Sequence, residues 1–228
     1  MYRGIPFRQR RLIRHYAMFV GPGSLCFDLG AHVGNRVSAW RALGARVVAV
    51  EPQPDFVRLL RWFHGNDPQV TIVPVAVGAR EGSAELLVSE RTPTVTSLSR
   101  QWTQRVREDQ GFSGVQWQPG PRVAVTTLDA LIAQFGLPQF IKIDVEGMEL
   151  AVLRGLSQAV DALSFEYLPA AGELALGCLS RLDELGSFRY NRSVGERQRL
   201  IHPQWIDGET MAAVLRVLPR EAPSGDIY

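Results

Sequence analysis

The sequence predicts an α/β fold in which a mostly parallel β-sheet carries helices on both faces. Three observations lead there. Short apolar runs of strand length alternate with stretches of helical length through most of the chain, the rhythm of parallel strands joined by helical crossovers. Glycine-rich breaks fall where strands and helices should end, as at Gly21-Pro22-Gly23, Gly30 and Gly44. Finally, 228 residues with 46% apolar composition suffice for one sizeable core, and no internal repeat suggests a second. One domain spanning 1–228 is expected.

Residues 8–20 read as a first helix within an N-terminal helical segment, 1–24. Leu25 to Leu29 is an apolar run stopped by glycine, a buried strand. Asn35 to Leu43 reads as a helix closing at Gly44, the position that favours glycine after a helix. Arg46 to Val50 is a second strand, Asp55 to Phe63 a second helix, and Val70 to Val77 a third strand. Ala84 to Val88 could pair as an accessory strand. From 89 to 122 the rhythm fails: the stretch is rich in Ser, Thr, Gln, Gly and Pro and carries Trp102, Phe112 and Trp117 without clean periodicity. Such an insertion reads either as a substrate-binding lid or as surface decoration. Regularity returns with a helix at Thr127 to Phe135, a strand at Phe140 to Val145 and a helix at Glu149 to Leu156. A strand at Ala162 to Tyr167 and a helix at Leu174 to Leu185 follow. Phe188 to Val194 and Asp226-Ile227-Tyr228 look like closing strands.

Composition narrows the function classes. A formal charge of +2 and the lack of a basic tract with interleaved aromatics disfavour a nucleic-acid partner. Arg3, Arg8, Arg10, Arg11 and Arg14 precede no apolar segment of the kind a secretory signal needs, and no run is long enough to span a bilayer. Cytoplasm is the default compartment. These arginines suit the solvated face of an amphipathic helix, or contacts to an anionic substrate. The two cysteines, Cys26 and Cys178, suit small core side chains better than a bridge.

The most informative segment is Phe27-Asp28-Leu29-Gly30-Ala31-His32-Val33-Gly34-Asn35, a strand end, glycine turn and helix start in nine residues. Gly30 permits a tight turn and Gly34 a close approach, while amides at the helix start attract an anionic group. A glycine turn of this kind also serves plain helix–strand packing. Glu51 ends the second strand, 21 positions past Gly30, where a carboxylate can accept hydrogen bonds from ribose hydroxyls. The dinucleotide fingerprint needs a second glycine to clear a pyrophosphate, and His32 stands there instead. A ligand with a ribose and no pyrophosphate fits better, and S-adenosylmethionine is one. Asp28 or its backbone could face that ligand's amino group, with turn amides facing its carboxylate. His32 reads as a structural hydrogen-bonding residue.

These residues resemble the FkbM family of methyltransferases. The matching blocks are F-D-L-G-A-H-V-G-N at 27–35, V-A-V-E-P-Q-P at 48–54, T-L-D-A-L at 127–131, I-K-I-D-V-E-G-M-E at 141–149 and G-D-I-Y at 225–228. The resemblance implies a Rossmann-like class I methyltransferase fold, with a seven-stranded sheet whose last strand is antiparallel. It implies methyl transfer to a hydroxyl oxygen of a sugar or other small natural product. The cofactor pocket it implies comprises Asp28, Gly30, Ala31, Gly34, Asn35, Glu51 and Pro52, with the backbone near Ala76 and Val77 facing the adenine.

The strand 140–145 carries Lys142 and Asp144, which two-residue alternation puts on one face. Ligands of open α/β sheets sit at the carboxyl ends of strands, so both approach that crevice. Glu146 and Glu149 follow. Lys142 is the only lysine; the other 24 basic residues are arginines. Asp144, with Lys142 or Glu146, is expected to orient and deprotonate the acceptor oxygen. A buried structural Lys142–Asp144 pair is the competing reading. Glu166 ends the next strand and could join Asp144 around a divalent cation, with an oxygen-only ligand set suited to magnesium. Two other functions stay open: a NAD(P)-binding oxidoreductase, which His32 speaks against, and a non-catalytic S-adenosylmethionine-binding module.

Overall fold

In a computed structural model, residues 6–89, 92–107, 112 and 114–228 are described. Arg3 lies outside them. The apolar runs form strands and the amphipathic stretches helices, in the order α1 (Pro6–Tyr16), β1 (Leu25–Leu29), α2 (Asn35–Ala42), β2 (Arg46–Val50), α3 (Pro54–His64), β3 (Val70–Val73) and β4 (Ala76–Val77). Then come β5 (Gly82–Val88), α4 (Arg100–Val106), β6 (Gln118–Thr126), α5 (Leu128–Phe135), β7 (Phe140–Ile143) and α6 (Glu149–Arg154). The chain closes with β8 (Leu163–Tyr167), α7 (Gly172–Leu185), α8 (Gly208–Arg216) and β9 (Gly225–Ile227).

The main sheet has six strands in the order β3-β2-β1-β7-β8-β9, parallel except for β9, which runs antiparallel to β8. Alternation along the strands supplies a core on each face. Phe27, Leu29, Ile141 and Ile143 pack with α5 to α8 on one side. Cys26, Val47, Ala49 and Phe140 pack with α1, α2 and Leu60 of α3 on the other. Both cysteines are buried and unbridged, as small core side chains. Helix α1 is amphipathic as expected: Leu12, His15 and Tyr16 are buried, while Arg10, Arg11 and Arg14 are exposed. Tyr16 meets Trp40 and Phe140 edge-on, which fixes this helix against the sheet rather than leaving it as an appendage. Among the described residues no helix is long and apolar enough to cross a membrane.

Three departures from the sequence reading have local causes. The third strand stops at Val73 instead of running to Val77. Pro74 brings no amide to the ladder, and the Val75 amide turns back onto the Val73 carbonyl at 3.0 Å. Ala76 and Val77 thus belong to a second, three-stranded sheet, β4-β6-β5. The insertion is also more regular than its composition suggests, since it contains α4 and the start of β6, which pairs antiparallel with β5. Finally, the seventh strand expected at Phe188 to Val194 does not form. Residues 191–195 run antiparallel beside β9, with both Asn191–Tyr228 backbone bonds and a Ser193 amide bond to Asp226. The register is constant along this pairing, and the Asn191 side-chain oxygen takes the Arg192 amide, which faces away from β9, together with the His202 amide.

Candidate functional site

The carboxyl ends of β1, β2, β7 and β8 open into a cavity of about 770 Å³, within the ~300–1,000 Å³ usual for small-molecule sites. Of the residues singled out from the sequence, Gly30, Ala31, Asn35, Glu51, Pro52, Ala76, Val77, Asp144, Glu146 and Glu166 line it. Asp28, Gly34 and Lys142 do not. Two contributions had no sequence signal, Gln9, Leu12 and Tyr16 of α1 and Arg36 of α2; Thr94 and Thr96–Leu98 come from the insertion that could read as a binding segment.

Glu51 sits at one end. It is buried, and each carboxylate oxygen accepts one amide: His32 N at 2.9 Å on Oε2 and Gln53 N at 2.8 Å on Oε1. A carboxylate has about four acceptor positions, so each oxygen keeps capacity toward the cavity. Burial pushes its pKa up to about 7, against the lowering effect of the two amides. A pair of vicinal hydroxyls suits this acceptor.

The glycine turn is arranged differently from expectation. The Gly30 and Ala31 amides both donate to the Val50 carbonyl (2.9 and 3.1 Å), the His32 amide to Glu51, and the Gly34 amide to the Ala31 carbonyl (2.8 Å). These four amides are engaged within the protein, so an anion would have to be met by other amides of the turn and the helix start. Gly30 is needed for packing: its φ is +79°, and a Cβ there would collide with the Asp144 carbonyl oxygen. Gly34 caps α2 and packs against His64 and Leu60 of α3, away from the cavity. The His32 ring rests on Phe56 with centroids 3.7 Å apart and burial lowers its pKa to about 4; it lines the cavity, and its Nε2 makes no hydrogen bond among the described residues, so the structural hydrogen bond expected of the ring is not seen there.

Beneath the cavity floor, on the α1/α2 face, lies a charge network. Lys142 is fully buried, with Nζ 2.8 Å from Asp226 Oδ1 and 3.4 Å from Asp144 Oδ2. Burial alone would favour loss of its proton, but the two aspartates hold it cationic, with its pKa raised. So held, it is the counter-ion of both aspartates, the buried Lys142–Asp144 pair of the competing reading. Arg36 Nη2 reaches the same Asp144 oxygen at 2.6 Å. Burial would raise Asp144, but Lys142 and Arg36 overcome this and hold it at about 2. So stabilised, Asp144 is a poor proton acceptor. Asp28 is fully buried, and among the described residues neither of its oxygens has a hydrogen-bond partner. Burial lifts its pKa to about 6 despite Arg36 and Lys142. It sits behind the wall and not against a ligand.

Two further carboxylates, Glu146 and Glu166, line the cavity. Glu146 has a left-handed backbone, φ +49°, a conformation costing a side-chain-bearing residue of order 1–3 kcal/mol and typical of functional turns. The turn is pinned by Ser97 Oγ donating to the Glu146 carbonyl at 2.6 Å, and by Glu149 Oε1 accepting the Val145 and Gly147 amides at 3.3 and 3.2 Å. The Trp102 ring occupies the place where a Cβ of Gly147 would lie. Burial raises the Glu146 pKa well above the usual value, helped by the charges of Glu166, Asp144 and Glu149. Glu166 is raised likewise, by burial and by Asp144. One oxygen from each of Asp144, Glu146 and Glu166 lies within 4.8 Å of the others. That spacing would admit a cation, although Arg36 and Lys142 already compensate Asp144.

No curated protein matches the sequence. Among solved structures, a precorrin-6Y C5,15-methyltransferase from Geobacter metallireducens is 12% identical with a TM-score of 0.46, covering 86% of this chain and 80% of that one. The fibrillarin of Aeropyrum pernix, with natively bound S-adenosyl-L-methionine, is 11% identical with a TM-score of 0.47, covering 97% and 76%. A TehB-like S-adenosylmethionine-dependent methyltransferase from Corynebacterium glutamicum is 9% identical with a TM-score of 0.46, covering 95% and 85%. A family model described as the methyltransferase FkbM domain matches residues 28–185, more than half of the chain. The chain therefore belongs to the FkbM methyltransferase family, with the Rossmann-like fold and S-adenosylmethionine dependence of a class I methyltransferase.

Proposed function

We propose that the chain, as one unit over 1–228, methylates a hydroxyl oxygen of a small molecule in the cytoplasm. The observation that carries this is the pair of basic carboxylates, Glu146 and Glu166, on the wall of the cavity whose other end holds Glu51. When bound, S-adenosylmethionine supplies a methyl group on a sulfonium, open to in-line displacement. The protein's part is to bind, orient and move one proton. Glu51 would accept the ribose hydroxyls, the short β4 segment and Pro52 would flank the adenine, and Arg36 would face the amino-acid carboxylate with donors left over from Asp144. An acceptor hydroxyl between Glu146 and Glu166 would lose its proton to Glu146 when both carboxylates are ionised. A raised pKa makes that carboxylate a stronger base than an ordinary glutamate. Lys142 and Asp144 support this arrangement as a charged floor.

The modest net charge of +2 favours a small acceptor over nucleic acid. The engaged amides of Gly30, Ala31, His32 and Gly34 weigh against a NAD(P)-dependent oxidoreductase, and the strained Glu146 turn weighs against a silent binding module. A magnesium-assisted version would use Asp144, Glu146 and Glu166 as ligands. Thorough EDTA treatment is expected to leave turnover unchanged, because cationic side chains already compensate Asp144; loss restored by magnesium would favour the metal. The assay for the reaction itself uses S-adenosylmethionine carrying a 13C methyl group and a library of small alcohols. A methoxy carbon signal in the product is expected; an N-methyl or C-methyl signal would refute oxygen transfer.

A further inference from the structure

A second cavity, of about 530 Å³, adjoins the first, and Glu146, Glu166 and Ser224 line both. Its far wall is apolar: Trp102, Phe112 and Leu174 face it from the insertion and α7. Trp102 and Phe112 meet edge to face at 5.4 Å, and Trp117 braces both. We propose that this second cavity is the acceptor chamber, and that it takes an uncharged, ring-bearing alcohol whose ring lies on the aromatic wall and whose hydroxyl reaches Glu146 and Glu166. The inference rests on reading the first cavity as the methyl donor's.

Sheet geometry supports the division. Glu51 follows β2 and Glu146 follows β7, two strands away across β1, or ~10 Å at ~4.8 Å per strand. A ribose held at Glu51 therefore leaves the reacting end of a donor near the Glu146 turn. In-line displacement needs the nucleophile on the side away from the sulfur, and the second cavity opens beyond the two carboxylates. Chemistry selects the ligand. Aromatic rings favour flat or C–H-faced rings. Glu146, Glu149, Glu166 and Glu221 accept hydroxyl protons and outnumber Arg220, the one cation among the lining residues, so the cavity disfavours a carboxylate. The same segment also sets the base: Trp102 packs on Gly147 and Ser97 holds the Glu146 carbonyl. Residues 97–102 thus couple the acceptor wall to the turn that would take its proton.

The test measures binding by ligand-observed NMR in the presence of saturating S-adenosylhomocysteine. The probes are phenyl β-glucoside, phenyl β-galactoside and benzyl alcohol, with benzoate as the charged control. At least one neutral probe should bind the wild type at least ten-fold tighter than benzoate. Leu174→Trp, which fills the second cavity alone, should weaken that probe ten-fold or more while its S-adenosylhomocysteine affinity in calorimetry stays within two-fold. If Leu174→Trp fails to fold, Leu174→Phe replaces it with the same expected direction. Failure of every neutral probe to bind, or probe binding indifferent to the filling variant, overturns the acceptor assignment. Failure of the wild type to bind S-adenosylhomocysteine refutes instead the reading beneath it.

Discussion

Replacing Glu51 by Gln isolates the contact on which cofactor selection depends. The variant keeps the shape of the side chain and loses its charge and one acceptor oxygen. In the wild type, the two oxygens each hold one backbone amide and keep room for one hydroxyl each. Hydrogen bonds to a charged group contribute about 1.5–3 kcal/mol, against about 0.5–1.5 for neutral ones. Loss of charge from two such bonds, partly offset by the oxygen that remains, should weaken S-adenosylhomocysteine by about 1–3 kcal/mol, roughly 5- to 150-fold in Kd. The pH dependence is a sharper signature. Burial sets the Glu51 pKa at about 7, and the ionised form is the better acceptor. Wild-type affinity should therefore rise as pH increases through 7 and level off above it, while the Gln variant, with nothing to titrate there, stays flat. Isothermal titration at four or five pH values reads both effects. Equal affinity of variant and wild type above pH 8, or the same pH slope in both, would refute the ribose assignment.

Other perturbations separate catalysis from architecture. Glu146→Gln should lower kcat about 100-fold or more, the scale of general-base catalysis, with S-adenosylhomocysteine affinity nearly unchanged; near-normal turnover would remove Glu146 from the chemistry. In the wild type, kcat should rise with pH as the Glu146–Glu166 pair loses its last shared proton. Glu166→Gln removes one of the negative charges facing Glu146, leaving Asp144 and Glu149 against Lys142, so the surviving limb should move to lower pH; a limb that stays put or moves up contradicts the coupling. Lys142→Met leaves Asp144 and Asp226 without their shared cation, a loss of about 3–5 kcal/mol for a broken buried pair. Thermal melting should fall by roughly 10 °C, and an unchanged melting temperature would return Lys142 to the list of catalytic candidates.

Much of the sheet was legible in the sequence because its strands are short apolar runs closed by a glycine or an acidic residue, as at Gly30, Glu51 and Asp144. Leu25 to Leu29 and Arg46 to Val50 are strands over those residues. Helix α8 was missed, although Asp207 capping Thr210 and the Met211/Leu215 spacing announce it. Pro74 was a visible reason to end the third strand at Val73. The Lys142–Asp144 pair was one of two readings of the sequence, but the rest of the charge network was not legible, because Asp226 reaches Lys142 from the far end of the chain and only the antiparallel β9 brings them together. Lys142 was singled out correctly as unusual, but sequence could not separate a buried counter-ion from a base. Arg36 and Tyr16 carried no signal, since an arginine and an aromatic on amphipathic helices are ordinary there. Glu166 was legible from its place at a strand end.

The most direct measurement of the central claim is a parallel calorimetric titration of one preparation with S-adenosylhomocysteine and with NAD. A nucleoside gripped through its sugar, beside a turn whose amides are already engaged, predicts saturable binding of the first and no heat of binding from the second. Tight NAD binding with indifference to S-adenosylhomocysteine would contradict it.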